Sequence, residues 1–232
     1  KDPVVVMIGA GAMGGVLAAA LLRGGARLSI VDTDAEHVAA IARDGLRVAN
    51  FADEAPLAVP ATAAAPAPGS ADLAIVMTPA YETANAAAVA AHVLRPDGAA
   101  VSLQNGLGNA EALVAALGAG RVFMGSTRSS AERPAPGRPR ATRIDPTVVG
   151  EIDGAVRPRT EWLAATLSAG GMPTAVSTNV MGALWSKFIH NCAINALSAI
   201  TGLRMGEVTR CDGLGDLRWE IVEEGLAVAR AR

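Results

Sequence analysis

The chain has 232 residues, enough for one large domain or for one domain and part of a second. It is 51% hydrophobic but only 3% aromatic, with 25 glycines, so tight helix-on-sheet packing is expected rather than a core of bulky rings. A net charge of −2 without a basic stripe argues against a nucleic-acid partner, and no apolar run approaches the ~20 residues that cross a bilayer.

Residues 4–8 form a continuous apolar run that ends in glycine, as a strand buried on both faces does. Residues 12–23 follow with Val16, Leu17, Ala20 and Leu21 on one stripe, a helix that Gly24-Gly25 ends. Residues 28–31 are a second apolar run, closed by Asp32. Together these make a complete βαβ unit. Residues 35–43 read as helix, 46–51 and 55–59 as short strands, and 60–69 as an alanine- and proline-rich surface linker. Residues 72–77 read as a strand, 81–93 as a helix halted by Pro96-Asp97-Gly98, 99–103 as a strand, 109–117 as a helix and 121–125 as a strand. Such alternation implies a parallel sheet with covered faces.

The pattern changes at residues 129–150, which hold several prolines and predict an antiparallel excursion. Its arginine-rich part, Arg133 to Arg143, is broken by Pro134, Pro136 and Pro139 and reads as an exposed hairpin or loop. A helix over 157–169, a turn and a short strand over 174–177 complete the α/β part. Everything from Asn179 onward looks helical. The expected fold class is therefore α/β, a Rossmann-like, doubly wound and mostly parallel sheet over residues 1–178, followed by the start of an all-helical domain over 179–232. The stretch 220–229 is an amphipathic helix that could serve as core or as an interface in a homodimer.

Within the first unit, Gly9-Ala10-Gly11-Ala12-Met13-Gly14 is a G-x-G-x-x-G fingerprint in its proper setting, after a strand and opening a helix. Gly9 permits the tight turn, Gly11 lets the backbone approach a pyrophosphate, and Gly14 allows the helix to pack close to the sheet. The helix N-terminus then offers N–H groups and a positive dipole end to phosphate. Asp32 stands near the ~20-residue interval expected of a ribose-binding acid. A carboxylate there accepts from both ribose hydroxyls and repels a 2′-phosphate, which favours NAD over NADP. The alternative is that Asp32 points away and Thr33 or a more distant cation meets a phosphate.

A second constellation lies downstream. Lys187, Asn191 and Asn195 are spaced four apart on a helix and so share one face, between apolar sides to which Leu184, Phe188 and Ile194 contribute. Asparagine is a poor helix former, a weak choice for a merely solvated stripe. Carbonyl reduction needs a hydride at carbon and a proton at oxygen; a protonated lysine supplies the second, and neutral amides orient substrate without competing for the proton. Asn105, in Leu103-Gln104-Asn105-Gly106-Leu107-Gly108 directly after a strand, could reach the nicotinamide side or the substrate, or could be an ordinary Asn-Gly turn. Two cysteines cannot make a disulfide framework, and Cys192 is expected to pack inside its helix. Three scattered histidines, His37, His92 and His190, argue against zinc, and no metal is expected. With no signal peptide visible, a cytoplasmic protein without a membrane partner is expected.

These motifs carry a family resemblance. Residues 9–14, 103–108 and 185–195, with their Lys-x-x-x-Asn-x-x-x-Asn spacing, and Val149-Gly150-Glu151 followed by Gly154 resemble the ketopantoate reductases (2-dehydropantoate 2-reductases) over nearly the whole chain. The resemblance implies a Rossmann domain and a helical domain with the active site in the cleft between them. It implies reduction of a small-molecule 2-keto acid to the 2-hydroxy acid, usually with NADPH. Lys187 matches the family's general acid, Asn191 and Asn195 its substrate asparagines, and Asn105 its asparagine near the nicotinamide. Thr78 falls in the cofactor-contacting stretch after the fourth strand. Two positions depart from the NADPH pattern: Asp32-Thr33-Asp34 replaces a basic residue, and Pro79 stands where lysine is usual. The family also continues past the length seen here with further helices, which carry a serine and an acidic residue that hold substrate. The competing readings are a 3-hydroxyacid dehydrogenase, which also joins such a glycine turn to a helical lysine and asparagine, and a non-catalytic nucleotide-binding module.

Overall fold

A computed structural model describes residues 2–232. The chain divides into two compact units, Lys1–Val180 and Met181–Arg232. In the first, β1 (Val4–Ile8) leads through α1 (Ala12–Arg23) to β2 (Arg27–Val31), α2 (Ala35–Asp44), β3 (Ala61–Thr62) and β4 (Ala71–Val76). Next come α3 (Thr83–Val93), β5 (Leu94–Ser102), α4 (Asn109–Leu117), β6 (Val122–Thr127), β7 (Ser130–Ala135) and β8 (Arg138–Arg143). β9 (Thr147–Glu151), α5 (Pro158–Ala169) and β10 (Thr174–Val176) complete the unit. The second unit is helical: α6 (Val180–Thr201), which starts at the division, α7 (Met205–Val208) and α8 (Leu214–Arg230).

The sheet has eight strands in the order β10-β9-β6-β5-β4-β1-β2-β3, and every pairing is parallel except β6 with β9. Central strands of this kind are buried on both faces, which is why β1 and β4 read as unbroken apolar runs. Ala18, Ala19 and Ala20 of α1 are fully buried, so the small-residue composition is spent on close packing around this helix.

Three segments differ from the sequence expectation. Residues 46–51 and 55–59 are not sheet strands but meet in a single antiparallel bridge, Leu46 with Leu57. Their apolar residues are buried as the pattern required, with Leu46, Val48, Phe51 and Val59 all in the core. Positive φ at Asn50 (57°) and Ala52 (50°) turns the chain before a strand can extend. The linker at 60–69 contributes the edge strand β3. β5 starts at Leu94, ahead of Pro96, because extra residues loop out where Ala71 pairs with Leu94 but Leu73 already pairs with Ala99. Arg121 fastens that loop, donating from Nε to the Gly98 carbonyl at 2.7 Å and from Nη2 to the Arg95 carbonyl at 2.7 Å.

The β7–β8 hairpin is not a free excursion. The Arg47 N–H donates to the Gly137 carbonyl at 3.1 Å, the Ala49 N–H to the Pro139 carbonyl at 3.0 Å and the Ala141 N–H to the Ala49 carbonyl at 2.9 Å. At its tip the Gly137 N–H donates to His37 Nδ1 at 2.9 Å, and His37 Nε2 lies 2.8 Å from the Ala10 carbonyl. Nδ1 accepts, so Nε2 carries the hydrogen and donates to Ala10. One fully buried imidazole thus ties the hairpin to the glycine turn. Replacing His37 by Phe strands a buried carbonyl and a buried N–H, at about 1–3 kcal/mol each. We expect the His37→Phe variant to melt roughly 5–15 °C lower by calorimetry; an unchanged melting temperature would show that the link carries no stability.

Candidate active site

The strand order reverses at β1: the chain runs outward through β2 and β3 on one side and through β4, β5 and β6 on the other. Open α/β sheets bind ligands at such a switch point, beyond the carboxyl ends of the strands. Gly9, Asp32, Met77-Thr78 and Leu103-Gln104-Asn105 directly follow β1, β2, β4 and β5 at that edge.

The glycines of the first turn divide by what a side chain would meet. Gly9 has φ +87°, and a Cβ there would lie 2.8 Å from the Thr78 amide nitrogen. A Cβ on Gly14 would lie 2.1 Å from the Gly9 carbonyl oxygen, so α1 could not approach β1 with any side chain at that position. At Gly11 an added Cβ meets nothing within 4 Å. The fold therefore requires the first and last of the three, whereas Gly11 leaves open space at the mouth of α1. Gly11 is also the N-cap and offers no side-chain cap, so the first-turn N–H groups and the positive helix end are available to an anion. Ala12 and Met13 occupy that first turn, and both are half-buried. These are the features a dinucleotide pyrophosphate fits.

Asp32 is half-buried and turned toward the glycine turn. Its Oδ2 accepts from the Ala10 N–H at 2.7 Å and its Oδ1 from the Asp34 N–H at 3.0 Å. Each carboxylate oxygen retains lone-pair capacity for a ribose hydroxyl. Asp34 caps α2, accepting from the His37 N–H at 3.0 Å, while its other oxygen lies 2.7 Å from Arg133 Nη1. Two acids thus stand at the end of β2, one of them paired with a hairpin arginine.

Across the switch point a buried amide organises the loops after β4 and β5. Gln104 donates from Nε2 to the Thr78 carbonyl at 2.8 Å and to Thr83 Oγ1 at 2.9 Å, and its Oε1 accepts from Ser102 Oγ at 2.9 Å. Thr83 Oγ1 donates to Asn109 Oδ1 at 2.8 Å, and Asn109 Nδ2 donates to the Asn105 carbonyl at 3.1 Å. Asn105 itself is exposed, and Thr78 and Asn105 are held from behind by one network.

In the second unit, α6 carries Lys187 and Asn191, both half-buried, and Asn195, exposed. Leu184, Ile189 and Ala193 are buried, and Ile194 and Leu197 pack with Val208 of α7. Trp185 and Phe188 meet edge to face at 6.0 Å. Cys192 is exposed rather than packed, because the helix turns that position away from its apolar side. No group of three or more His, Cys, Asp or Glu side chains that could hold a metal occurs among the described residues.

Sequence reasoning passed over Gln104, Thr83 and Asn109, and also His37 and Arg133. Gln104 carried a readable signal, a polar residue between Leu103 and the Asn-Gly turn at a strand end. The contacts of His37 with Gly137 and of Arg133 with Asp34 span 100 and 99 residues, and no local pattern announces them.

Folded this way, the first unit is Rossmann-like. The family model described as "Ketopantoate reductase PanE/ApbA" matches residues 5–154, and "Ketopantoate reductase PanE/ApbA C terminal" matches residues 179–232. The 2-dehydropantoate 2-reductase of Halobacterium salinarum is 34% identical over 98% of this chain and 75% of its own length. A crystal structure of a PanE/ApbA family ketopantoate reductase from Ralstonia eutropha JMP134 superposes with a TM-score of 0.86 at 34% identity, over 98% of this chain and 74% of that one. D-mandelate dehydrogenase, solved with NADH and anilino(oxo)acetate, shares the fold with a TM-score of 0.88 at 24% identity, over 98% of this chain and 74% of that one. The chain belongs to the ketopantoate reductase family. It is accordingly an NAD(P)H-dependent oxidoreductase that reduces a 2-keto acid to the 2-hydroxy acid. No helix among the described residues is long and apolar enough to cross a membrane.

Two outcomes are expected at this edge. Gln104→Leu keeps the volume but takes the Gln104 partner from the Ser102 hydroxyl and the Thr78 carbonyl, at about 1–3 kcal/mol for each group that stays dry, while the Thr83 hydroxyl keeps Asn109. Denaturant unfolding should show that loss, and a stability equal to wild type would mean the network is dispensable. The Asp34 carboxyl is held below the usual carboxylate range, first by the His37 N–H and then by Arg133. A depressed folded-state value contributes stability above the unfolded value of about 3.9 and loses it as pH falls through the folded value. NMR titration of Asp34 should therefore give a midpoint below 3.9, and a midpoint at or above it would contradict the pairing.

Proposed function

We propose that this chain reduces a 2-dehydropantoate-like 2-keto acid with NADH in preference to NADPH, and that Lys187 is the general acid. The observation that carries the reading is the register of α6, where a lysine and two asparagines recur every fourth residue on one face, within the segment matched by the C-terminal family model. Bound nicotinamide supplies a hydride to the keto carbon. Lys187 polarises the carbonyl oxygen and donates the proton that converts the developing alkoxide to a hydroxyl. Asn191 and Asn195 orient the substrate through neutral hydrogen bonds. Asn105, whose carbonyl accepts from Asn109, is assigned to the nicotinamide side. The open position at Gly11 and the uncapped start of α1 receive the pyrophosphate, and Asp32 receives the ribose hydroxyls.

The preference for NADH is supported by charge. Asp32 and Asp34 stand side by side at the end of β2, joined by a 3.0 Å hydrogen bond from the Asp34 N–H, and Pro79 follows Thr78 where NADPH-using relatives are expected to carry lysine. Both arrangements oppose a 2′-phosphate. The free cysteines, Cys192 and Cys211, support a cytoplasmic setting.

Lys187→Ala should lower kcat by about 10²–10⁴ with 2-dehydropantoate while the Kd for NADH, read by fluorescence, stays at the wild-type value. Retention of kcat within a few-fold would remove Lys187 from the chemistry. A panel of 2-keto acids against NADH and NADPH, followed at the nicotinamide absorbance band, checks substrate class and coenzyme together. Oxidation of 3-hydroxyisobutyrate-like acids without reduction of any 2-keto acid would move the chain to the other dehydrogenase class.

A further inference from the structure

We propose that the Asp34–Arg133 pair is the coenzyme-selecting device of this chain, with Arg133 a latent 2′-phosphate ligand that Asp34 keeps occupied. The inference rests on the NADH reading above. It adds that, beside the missing lysine at Pro79, a cation already present is held by a neighbour.

Arg133 lies on β7, far from β2 in sequence, yet the hairpin delivers its guanidinium to within 2.7 Å of Asp34 Oδ2. Two anchors fix that delivery. The hairpin tip is tied through Gly137 to His37, in the first turn of the helix that Asp34 caps. Its second strand is tied along the backbone to Ala49. The Asp34 N–H in turn donates to Asp32, whose other oxygen holds the Ala10 N–H of the glycine turn. Guanidinium, Asp34, Asp32 and glycine turn therefore form one chain of contacts, and the guanidinium sits at its outer end, where an adenosine ribose held by Asp32 would present its 2′ position.

Two further arginines of the hairpin region already have acidic partners. Glu132 is paired with Arg140 at 2.6 Å, and Arg143 with Asp145 at 2.7 Å. Glu36, in the first turn of α2, is exposed and adds negative charge on the same side. A guanidinium is a planar, permanently charged fork suited to phosphate oxygens. While Asp34 accepts from it, a 2′-phosphate must displace one carboxylate and approach two. Neutralising Asp34 removes the competitor and one repelling charge together, and leaves Arg133 in reach because the hairpin is held independently by His37 and Ala49.

The test is binding of adenosine 2′,5′-bisphosphate against 5′-AMP by calorimetry, with no turnover involved. Asp34→Ser retains a helix N-cap and removes the charge. The wild type should bind 5′-AMP more tightly than the bisphosphate. Asp34→Ser should tighten the bisphosphate about tenfold, a modest figure because the pair is partly exposed, and leave 5′-AMP within twofold. The double variant Asp34→Ser/Arg133→Met should lose that gain. A wild type that already prefers the bisphosphate overturns the NADH reading and this proposal with it. A wild type that prefers 5′-AMP, with no gain in Asp34→Ser or with a gain that survives in the double variant, overturns the proposal alone. Circular dichroism of each variant separates a binding change from a folding defect, and Asp34→Asn provides a second neutral residue should the serine variant unfold.

Discussion

The arrangement of the first unit depends on a contact that only the absence of a side chain allows. α1 reaches β1 so closely that a methyl group at position 14 would lie 2.1 Å from the Gly9 carbonyl oxygen. Because that approach is permitted, the start of α1 lies over the end of β1, its axis aims at the switch point, and its dipole is directed there. Move the helix outward by the thickness of a methyl group and the Ala10 N–H no longer meets Asp32, nor the Ala10 carbonyl His37. The residues at this edge thus share one mechanical origin, although they come from four strands and a hairpin.

Around that contact the chain invests buried polar groups rather than apolar bulk. His37 and Gln104 are both buried, and both bind main chain: His37 the carbonyl of Ala10 and the N–H of Gly137, Gln104 the carbonyl of Thr78. An apolar residue would fill either space, but it could not specify the register of one loop against another. A neutral amide or imidazole with each hydrogen bond made does specify it, because each wrong register leaves a dry donor or acceptor. The two residues flank the switch point, one behind the glycine turn and the other behind Thr78 and Asn105. The loops at this edge are therefore set by the interior of the domain.

Much of this fold is legible in the sequence, for reasons that also explain what is not. Buried parallel strands must be apolar on both faces, so β1, β2 and β4 announce themselves, and α4 begins and ends at the residues its periodicity indicates, Asn109 and Leu117. At positions 46–59 the same logic read two short strands where the structure has buried residues and one isolated bridge. Hydrophobicity records that a residue is covered, not what covers it, and here the backbone of Arg47 and Ala49 pairs with the hairpin rather than the sheet. The glycine turn and Asp32 were readable because their spacing is local. The hairpin's place against α2 was not, because Arg133 and Gly137 meet their partners about a hundred residues away. The prolines of that stretch look like the mark of a loose excursion. Pro134 and Pro139 stand within β7 and β8, which pair with each other as a separate two-stranded sheet.

The second unit solves its positioning problem by different means. A helix rises about 1.5 Å per residue, so residues four apart sit about 6 Å from one another on the same face without any loop to hold them. Lys187, Asn191 and Asn195 inherit that spacing from the backbone of α6, and the buried Leu184, Ile189, Ala193 and Ile194 fix which way the face turns. The sheet edge, by contrast, must gather its groups from several strands, and it needs Gln104 and His37 to do so. Under the roles proposed for these residues, a change that loosens a loop should disturb coenzyme affinity before it disturbs proton transfer. The two groups of residues rest on different supports, one a hydrogen-bonded network across the switch point and the other the repeat of a single helix.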